Sequence, residues 1–254
     1  MKQTPERESR RLWKDPDPES TKPNPGRFRR KAEEISISGV RASHTWRPEE
    51  DQENKKYNYF KQDSMKSLAD ILQPIQKMNI VRHILIANGN FPNNGLLPLL
   101  IYRGVFRIRA ENETDTVMEI LETNSWTDSW VNGIYDYHHY HSTAHEVLVT
   151  LQGSCNVQFG GPEGITLTLE KGDAAIIPAG VSHKKIDDAD GFRCLGAYPE
   201  GQQYDMNYGK SEERPRADEN IKKVPMPEND PLYGNDGPLI KNWLSEKDQN
   251  PSVL

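Results

Sequence analysis

The sequence predicts a mainly β protein that folds as an antiparallel sandwich or jelly roll. Residues 147–159 and 165–169 alternate polar with apolar side chains or run apolar, and the glycine-rich stretch 160–164 separates them. Two more β-prone runs follow at residues 174–177 and 192–198, with no helical pattern between them. Short strands that are punctuated by glycine and proline, without intervening helices, are typical of antiparallel two-sheet folds.

The composition predicts one domain with polar tails. The 254 residues are 34% hydrophobic and have a mean hydropathy of −0.84, so an apolar core cannot extend along the whole chain. We expect a charged, disordered extension over residues 1–60 and a barrel with flanking helices over residues 61–208. Residues 209–254 carry only sparse apolar anchors, which predicts an extended C-terminal tail that is partly docked on the barrel.

The charge and the cysteine content restrict the class of protein. A net charge of −6 gives no reason to expect nucleic acid or an anionic membrane as partner. No stretch approaches the ~20 apolar residues of a membrane-spanning helix. Cys155 and Cys194 are too few for a disulfide framework. We therefore expect a cytoplasmic protein whose partner is a small molecule.

The elements that precede the barrel strands are predicted from their periodicity. A helix is expected over residues 64–74, followed by strands at residues 81–86 and 96–102. Residues 112–124 form an amphipathic helix, whose apolar stripe consists of Val117, Ile120 and Leu121. We expect this helix to pack on the outside of the barrel.

A histidine-rich segment over residues 133–146 carries most of the chemical information. Side chains on a strand alternate between faces, so His139 and His141 share one face and both imidazoles can reach one ion. The residues after His141 suit a turn into a second strand, on which Glu146 completes one wall of the site. His183 arrives from a third strand, after a turn that contains proline and glycine.

Neutral imidazoles and one carboxylate are a ligand set for a transition metal. They suit iron, manganese, nickel, copper or zinc, and they suit calcium or magnesium poorly. We predict one divalent transition metal per chain, bound by His139, His141, Glu146 and His183. The competing interpretation is a polar-lined barrel without a metal.

Neighbouring side chains are weaker candidates. Three tyrosines share the inward parity of these strands, and they either line the pocket or pack as buried aromatics: Tyr135, Tyr137 and Tyr198. By the same alternation His138 and His145 point to the opposite face, which leaves His145 a secondary candidate for a ligand or its hydrogen-bond partner. Cys194 is expected to be a buried, inert thiol.

The two histidine-containing segments resemble the paired motifs of the cupin superfamily. The first motif matches at Gly133, His139, His141, Glu146 and Gly153. The second matches at Gly172, Pro178, Gly180 and His183. It departs at its last position, where Asp187 replaces the usual asparagine, which is not a metal ligand. The resemblance therefore implies an intact metal site.

Segments outside the motifs resemble the YjlB-like branch of the cupins. They lie at residues 98–104, 196–199 and 230–243, and the likeness extends over residues 91–243. The resemblance implies a double-stranded β-helix, the cupin jelly-roll barrel, with one or two flanking helices and polar terminal tails. Cupins commonly pair through their outer sheets, so it also implies a homodimer.

Three functions are compatible with this ligand set. The first is a metal-dependent enzyme that acts on a small polar molecule, most plausibly in a dioxygenase-type reaction, with a pocket tyrosine as proton donor. The second is a sugar-type isomerase. The alternative from another class is a non-catalytic module that binds or senses a ligand or a metal, because one fold hosts many chemistries.

Overall fold

Seven antiparallel strands dominate the computed structural model, which describes residues 71–73, 77–106 and 113–249. The strands are β1 (Asn79–Leu85), β2 (Asn94–Arg103), β3 (Trp126–Asn132), β4 (Glu146–Phe159), β5 (Ile165–Glu170), β6 (Ala174–Ile177) and β7 (His183–Pro199). The α-helices in this part of the chain are α1 (Glu113–Thr123), α2 (Arg216–Lys223) and α3 (Pro238–Gln249). The extension expected over residues 1–60 and most of the helix expected over 64–74 lie outside the described residues.

Strand β4 connects the two halves of the sheet. The strands follow the order β1-β2-β6-β4-β7-β3, and β5 pairs with β4. The first residues of β4 pair with β6, and its last residues pair with β5. Strand β7 runs beside β4 from Val147 opposite Ala197 to Phe159 opposite His183. This antiparallel arrangement is a jelly roll with flanking helices, which confirms the predicted fold class.

Both faces of the sheet are buried in separate apolar clusters. On β4, Val147 and Val149 belong to the cluster that includes the helices, which we call the outer cluster. Leu148 and Val157 belong to the cluster inside the barrel, which we call the inner cluster. Residues two apart on a strand point to the same face. Glu146 therefore shares the inner face with Leu148, and a carboxylate at the start of β4 points into the barrel.

Helix α1 covers part of the outer cluster. Its predicted apolar stripe of Val117, Ile120 and Leu121 is buried there, which confirms the expected outside packing. Leu239 and Trp243 of α3 are fully buried in the same cluster. The indole nitrogen of Trp243 donates a hydrogen bond to the carbonyl of Pro98 over 2.9 Å. The C-terminal segment is thus part of the core.

Asp230 anchors this C-terminal segment. Its buried carboxylate accepts a hydrogen bond from the Tyr102 hydroxyl over 2.7 Å and three more from the main-chain N–H groups of Leu232, Tyr233 and Leu239. The segment is helical over α2 and α3, where an extended chain was expected. Within the described residues, no helix is both long and apolar enough to cross a membrane.

The local structure of the histidine-rich segment differs from the prediction. Residues 133–145 do not form a regular strand, and single bridges join His139 to His183 and Tyr140 to Asn207. The two bridges lie on opposite sides of the chain, as they do for consecutive residues of an extended backbone. The predicted alternation of side chains therefore holds at His139 and Tyr140.

Strand β3 was not predicted from the sequence. It pairs with β7, but its register shifts between Thr127 and Trp130. Asp128 within this bulge has a φ of 54°, in the left-handed region. The bulge breaks the alternation of polar and apolar residues by which a strand is recognised.

Candidate metal centre

Backbone pairing places His139 beside His183. The N–H group of each residue donates to the carbonyl of the other, with N···O distances of 3.2 and 2.9 Å. His183 begins β7 after the turn that follows β6, as predicted. The two imidazole ring centroids are 4.0 Å apart, and both side chains are buried. Two predicted ligands from distant parts of the sequence are therefore adjacent.

Main-chain carbonyls orient the three imidazoles of the site. Each Nδ1 atom faces one carbonyl oxygen. The N···O distance is 2.5 Å from His141 to the carbonyl of Asp205, 3.2 Å from His139 to that of Tyr137, and 3.4 Å from His183 to that of Val181. A carbonyl only accepts hydrogen bonds, so Nδ1 carries the proton and Nε2 keeps its lone pair. One ligand atom from each histidine lies within 4.8 Å of the other two, so the three could hold a metal ion.

Glu146 lies outside this group of three but faces it with one oxygen. Its Oε2 atom is 3.3 Å from Nε2 of His183 and 3.6 Å from Nε2 of His141. Within the described part of the chain, this buried oxygen has no hydrogen-bond partner. A buried carboxylate oxygen without a partner is costly, and a cation between it and the imidazoles would stabilise it. The donor set therefore fits a divalent transition metal.

Burial shifts the pKa values of the proposed metal ligands. It lowers the pKa of His139 to about 4 and that of His183 well below its ordinary value. Burial raises the pKa of Glu146, while His141 and Tyr198 act in the opposite direction. The neutral imidazole is the form that binds a metal, so His139 and His183 are in that form at neutral pH.

A hydrogen-bond chain holds the other oxygen of Glu146. The Tyr198 hydroxyl donates to Oε1 over 3.1 Å, and Nε1 of Trp130 donates to the Tyr198 hydroxyl over 3.1 Å. Burial and the charge of Glu146 raise the pKa of Tyr198. Tyr198, one of the three tyrosines expected to line the pocket or to pack as buried aromatics, thus orients the predicted carboxylate ligand and leaves Oε2 directed at the histidines.

Tyr135 and Tyr137 lie at the solvent side of the site. Their rings stack with centroids 4.9 Å apart, and each meets the His139 ring, at 5.2 and 5.9 Å. They are 49% and 39% exposed, so the alternative of buried aromatic packing does not describe them.

The segment after β7 supplies site residues that the sequence did not reveal. The Asp205 carboxylate accepts hydrogen bonds from the N–H and the hydroxyl of Ser142, over 2.6 and 2.5 Å. The main-chain carbonyl of Asp205 faces Nδ1 of His141. The Tyr204 ring meets His141 at 5.1 Å and stacks on Tyr198 at 4.5 Å. Tyrosines in an otherwise polar stretch were the only signal of this role.

Two histidines of the segment face away from this group, as alternation predicts. The buried His145 ring lies 4.7 Å from Trp243 in the outer core, and its Nδ1 accepts the N–H of Ala179 over 3.0 Å. The Nδ1 of His138 lies 3.2 Å from the Ser182 hydroxyl. The position of His145 therefore does not support a role as a metal ligand.

Comparisons with known proteins identify the family. A model of the cupin domain matches residues 130–191, which include the four predicted ligands. The "Uncharacterized protein YjlB" of Bacillus subtilis (strain 168) is 41% identical over 157 residues, which are 62% of this chain and 92% of the relative. The chain belongs to the YjlB-like cupins. The resemblance that the motifs indicated is confirmed.

Solved structures resemble this cupin at low identity. The 3,4-ketoisomerase QdtA from Thermoanaerobacterium thermosaccharolyticum is 16% identical, with a TM-score of 0.32, and the match covers 59% of this chain and 98% of that one. Procruciferin, an 11S globulin from Brassica napus, is 18% identical, with a TM-score of 0.26, and the match covers 56% of this chain and 29% of that one. No inference about the activity of this cupin follows from these values.

Proposed function

We propose that this YjlB-like cupin binds one divalent transition metal and acts as a metal-dependent enzyme on a small polar molecule, in a dioxygenase-type reaction. The proposed ligands are His139, His141, Glu146 and His183. One observation supports the metal most directly. The buried Oε2 of Glu146 has no hydrogen-bond partner in the described residues and faces two imidazole Nε2 atoms.

The residues of the chain hold the ligand atoms in place. Carbonyl oxygens orient the three imidazoles, and Tyr198 orients Glu146. When bound, a metal with this ligand set can polarise a substrate oxygen or bring a substrate and dioxygen together. An ion held by these four side chains would keep room for such groups.

Two ionisable groups near Glu146 are unsuited to act as the base of a sugar isomerase. Isomerisation of a sugar requires a base that removes a proton from carbon. Among the described residues, the Cys194 thiol and the Tyr198 phenol interact with Glu146, and burial raises the pKa of both. Neither is ionised at neutral pH, so neither is suited to be that base. The exposed Tyr135 and Tyr137 remain the candidates for a proton donor.

The first test is the metal content of the purified protein. We expect close to one iron, manganese, nickel, copper or zinc atom per chain in the wild type, and loss of that metal in a His139→Ala/His183→Ala variant. The matched control is His138→Ala, which removes a neighbouring imidazole that contacts Ser182 instead of the site. Metal below a tenth of an atom per chain in the wild type, with no uptake on reconstitution, would refute the proposal.

A second measurement separates the enzyme from a non-catalytic module. Iron-loaded protein is screened for oxygen consumption with small polar compounds, and His139→Ala/His183→Ala serves as the blank. Oxygen uptake that requires both iron and a substrate supports the enzyme. Tight retention of a small molecule without turnover supports the binding module instead.

A further inference from the structure

Exposed tyrosines are concentrated beside the proposed metal centre. In the described part of the chain, eight large hydrophobic side chains are exposed, and four of them form what we call the tyrosine rim: Tyr135 (49%), Tyr137 (39%), Tyr204 (49%) and Tyr208 (45%). Concentrated apolar surface of this kind marks a binding site more often than scattered exposed residues do.

The tyrosine rim is continuous with the imidazoles. Tyr208 meets Tyr137 at 5.9 Å, and Tyr137 stacks on Tyr135, next to His139. Tyr204 meets His141 at 5.1 Å. A flat molecule that lies on these rings therefore has its edge within reach of the atoms that hold the metal.

The charges around the tyrosine rim disfavour a phosphorylated or otherwise polyanionic ligand. Lys185, whose main-chain N–H donates to the carbonyl of Tyr135, has its ammonium group paired with Asp188 at 2.6 Å. Lys210 lies 5.6 Å from the Tyr208 ring, at the outer end of the rim. The carboxylates of Asp205 and Glu213 belong to the same segment as Tyr204 and Tyr208. A phosphate group typically needs several cationic or N–H donors, and the rim offers ring faces instead.

The proposed metal sets a second requirement on the ligand. Neutral imidazoles and one carboxylate leave a divalent ion with one positive charge uncompensated. A pair of adjacent oxygen donors that carries one negative charge neutralises it and fills neighbouring coordination positions. Aromatic rings, in turn, favour stacked or edge-to-face contact with another flat ring.

From these observations we infer that the ligand of this site is a flat aromatic molecule with two adjacent oxygen donors, whose ring lies on the tyrosine rim while the oxygens reach the metal. This inference rests on the proposed metal site and specifies its substrate class. It distinguishes the ligand from an aliphatic hydroxy acid or a sugar phosphate, which could present similar oxygens without a flat aromatic ring.

The test uses the full chain loaded with zinc, which cannot support oxygen chemistry. The probe is 4-nitrocatechol, whose visible absorption changes when its oxygens coordinate a metal, and the non-aromatic comparator is lactate, measured by calorimetry. We expect 4-nitrocatechol to bind at least tenfold more tightly than lactate. A Tyr137→Leu/Tyr208→Leu variant is expected to bind the probe about tenfold more weakly, because two ring contacts are lost, with unchanged affinity for lactate.

Two controls separate the effect of the rings from that of folding. The Tyr137→Phe/Tyr208→Phe variant retains the rings and is expected to bind the probe like the wild type. Ile86→Ala removes an exposed apolar side chain outside the rim and is expected to have no effect. Equal affinity for the probe and lactate, or unchanged probe binding in the leucine variant, would overturn this inference but not the proposed metal site. Zinc content is measured first in every variant, and a wild type that takes up no metal would overturn the proposed function as well.

Discussion

The hydroxyl of Tyr198 donates a hydrogen bond to Oε1 of Glu146 over 3.1 Å. The same hydroxyl accepts the N–H of Trp130, so the phenol is held from both sides. Residues that orient metal ligands often matter nearly as much as the ligands themselves. The contact therefore connects β3, which carries Trp130, to the carboxylate of the proposed metal site.

Replacement of Tyr198 by phenylalanine tests this contact. Without the hydroxyl, Glu146 can rotate, and we expect Tyr198→Phe to weaken metal binding by about 10- to 100-fold. Competition with a coloured chelator measures the affinity. Tyr233→Phe is the matched control, because its hydroxyl bonds to the Gln73 carbonyl instead of to Glu146. Equal affinity in the Tyr198 variant and the control would show that Glu146 needs no such support.

A methyl group at Gly196 should disturb the same chain of contacts. A Cβ atom there would lie 2.3 Å from the Trp130 ring, so the indole must move. We expect Gly196→Ala to reduce the free energy of unfolding by about 1–3 kcal/mol, and to weaken metal binding because Trp130 no longer holds Tyr198. Urea denaturation and chelator competition measure the two effects. Gly133→Ala is the control, since a Cβ at Gly133 meets nothing within 4 Å, and a similar loss in both variants would contradict the explanation.

The buried histidines predict how the stability of the metal-free protein depends on pH. Burial lowers the pKa of His139 to about 4 and that of His145 to about 3. An unfolded histidine binds a proton below about pH 6.5, so the unfolded chain takes up more protons than the folded one between that pH and the lowered values. Stability should therefore decrease as the pH falls through this window, by up to about 1.4 kcal/mol per pH unit for each such group.

Two buried carboxyl groups act in the opposite direction, because burial raises the pKa of Glu146 and that of Asp230. The raised pKa of Glu146 means that the folded protein keeps this proton to higher pH than the unfolded chain does, so the contribution of Glu146 to stability is lost as the pH rises. Urea titrations between pH 7.5 and pH 4.5 measure the balance. We expect a shallower pH dependence in His139→Asn, which removes one of the titrating histidines. An identical slope in this variant and the wild type would refute the assignment.

The anchor at Asp230 predicts a large effect on stability. Asp230→Ala leaves the Tyr102 hydroxyl and three main-chain N–H groups without their acceptor. Because these donors are buried, we expect a loss of about 3–5 kcal/mol, measured by chemical denaturation. Asp236→Ala changes an exposed carboxylate nearby and should alter stability by less than about 0.5 kcal/mol. A small effect at Asp230 would mean that the C-terminal segment contributes little to the core.

Local patterns in the sequence predicted much of the fold. The stripe of Val117, Ile120 and Leu121 predicted α1, and the alternation along residues 147–159 predicted β4. Strand β3 was missed because the bulge around Asp128 breaks its alternation. Helix α3 was missed because Leu239, Ile240 and Trp243 were interpreted as isolated anchors, although their spacing is helical.

The sequence by itself determined the jelly-roll class, the spacing of the histidines and Glu146, and the opposite directions of His138 and His139. These features depend on periodicity within a few residues and on the two cupin motifs. Only the tertiary structure decided which residues support the site. Asp205 reaches His141, and Tyr198 reaches Glu146, because the chain turns back over the site after β7 and β3 pairs beside β7. Such contacts join residues far apart in the chain, where no local pattern records which side chains will meet.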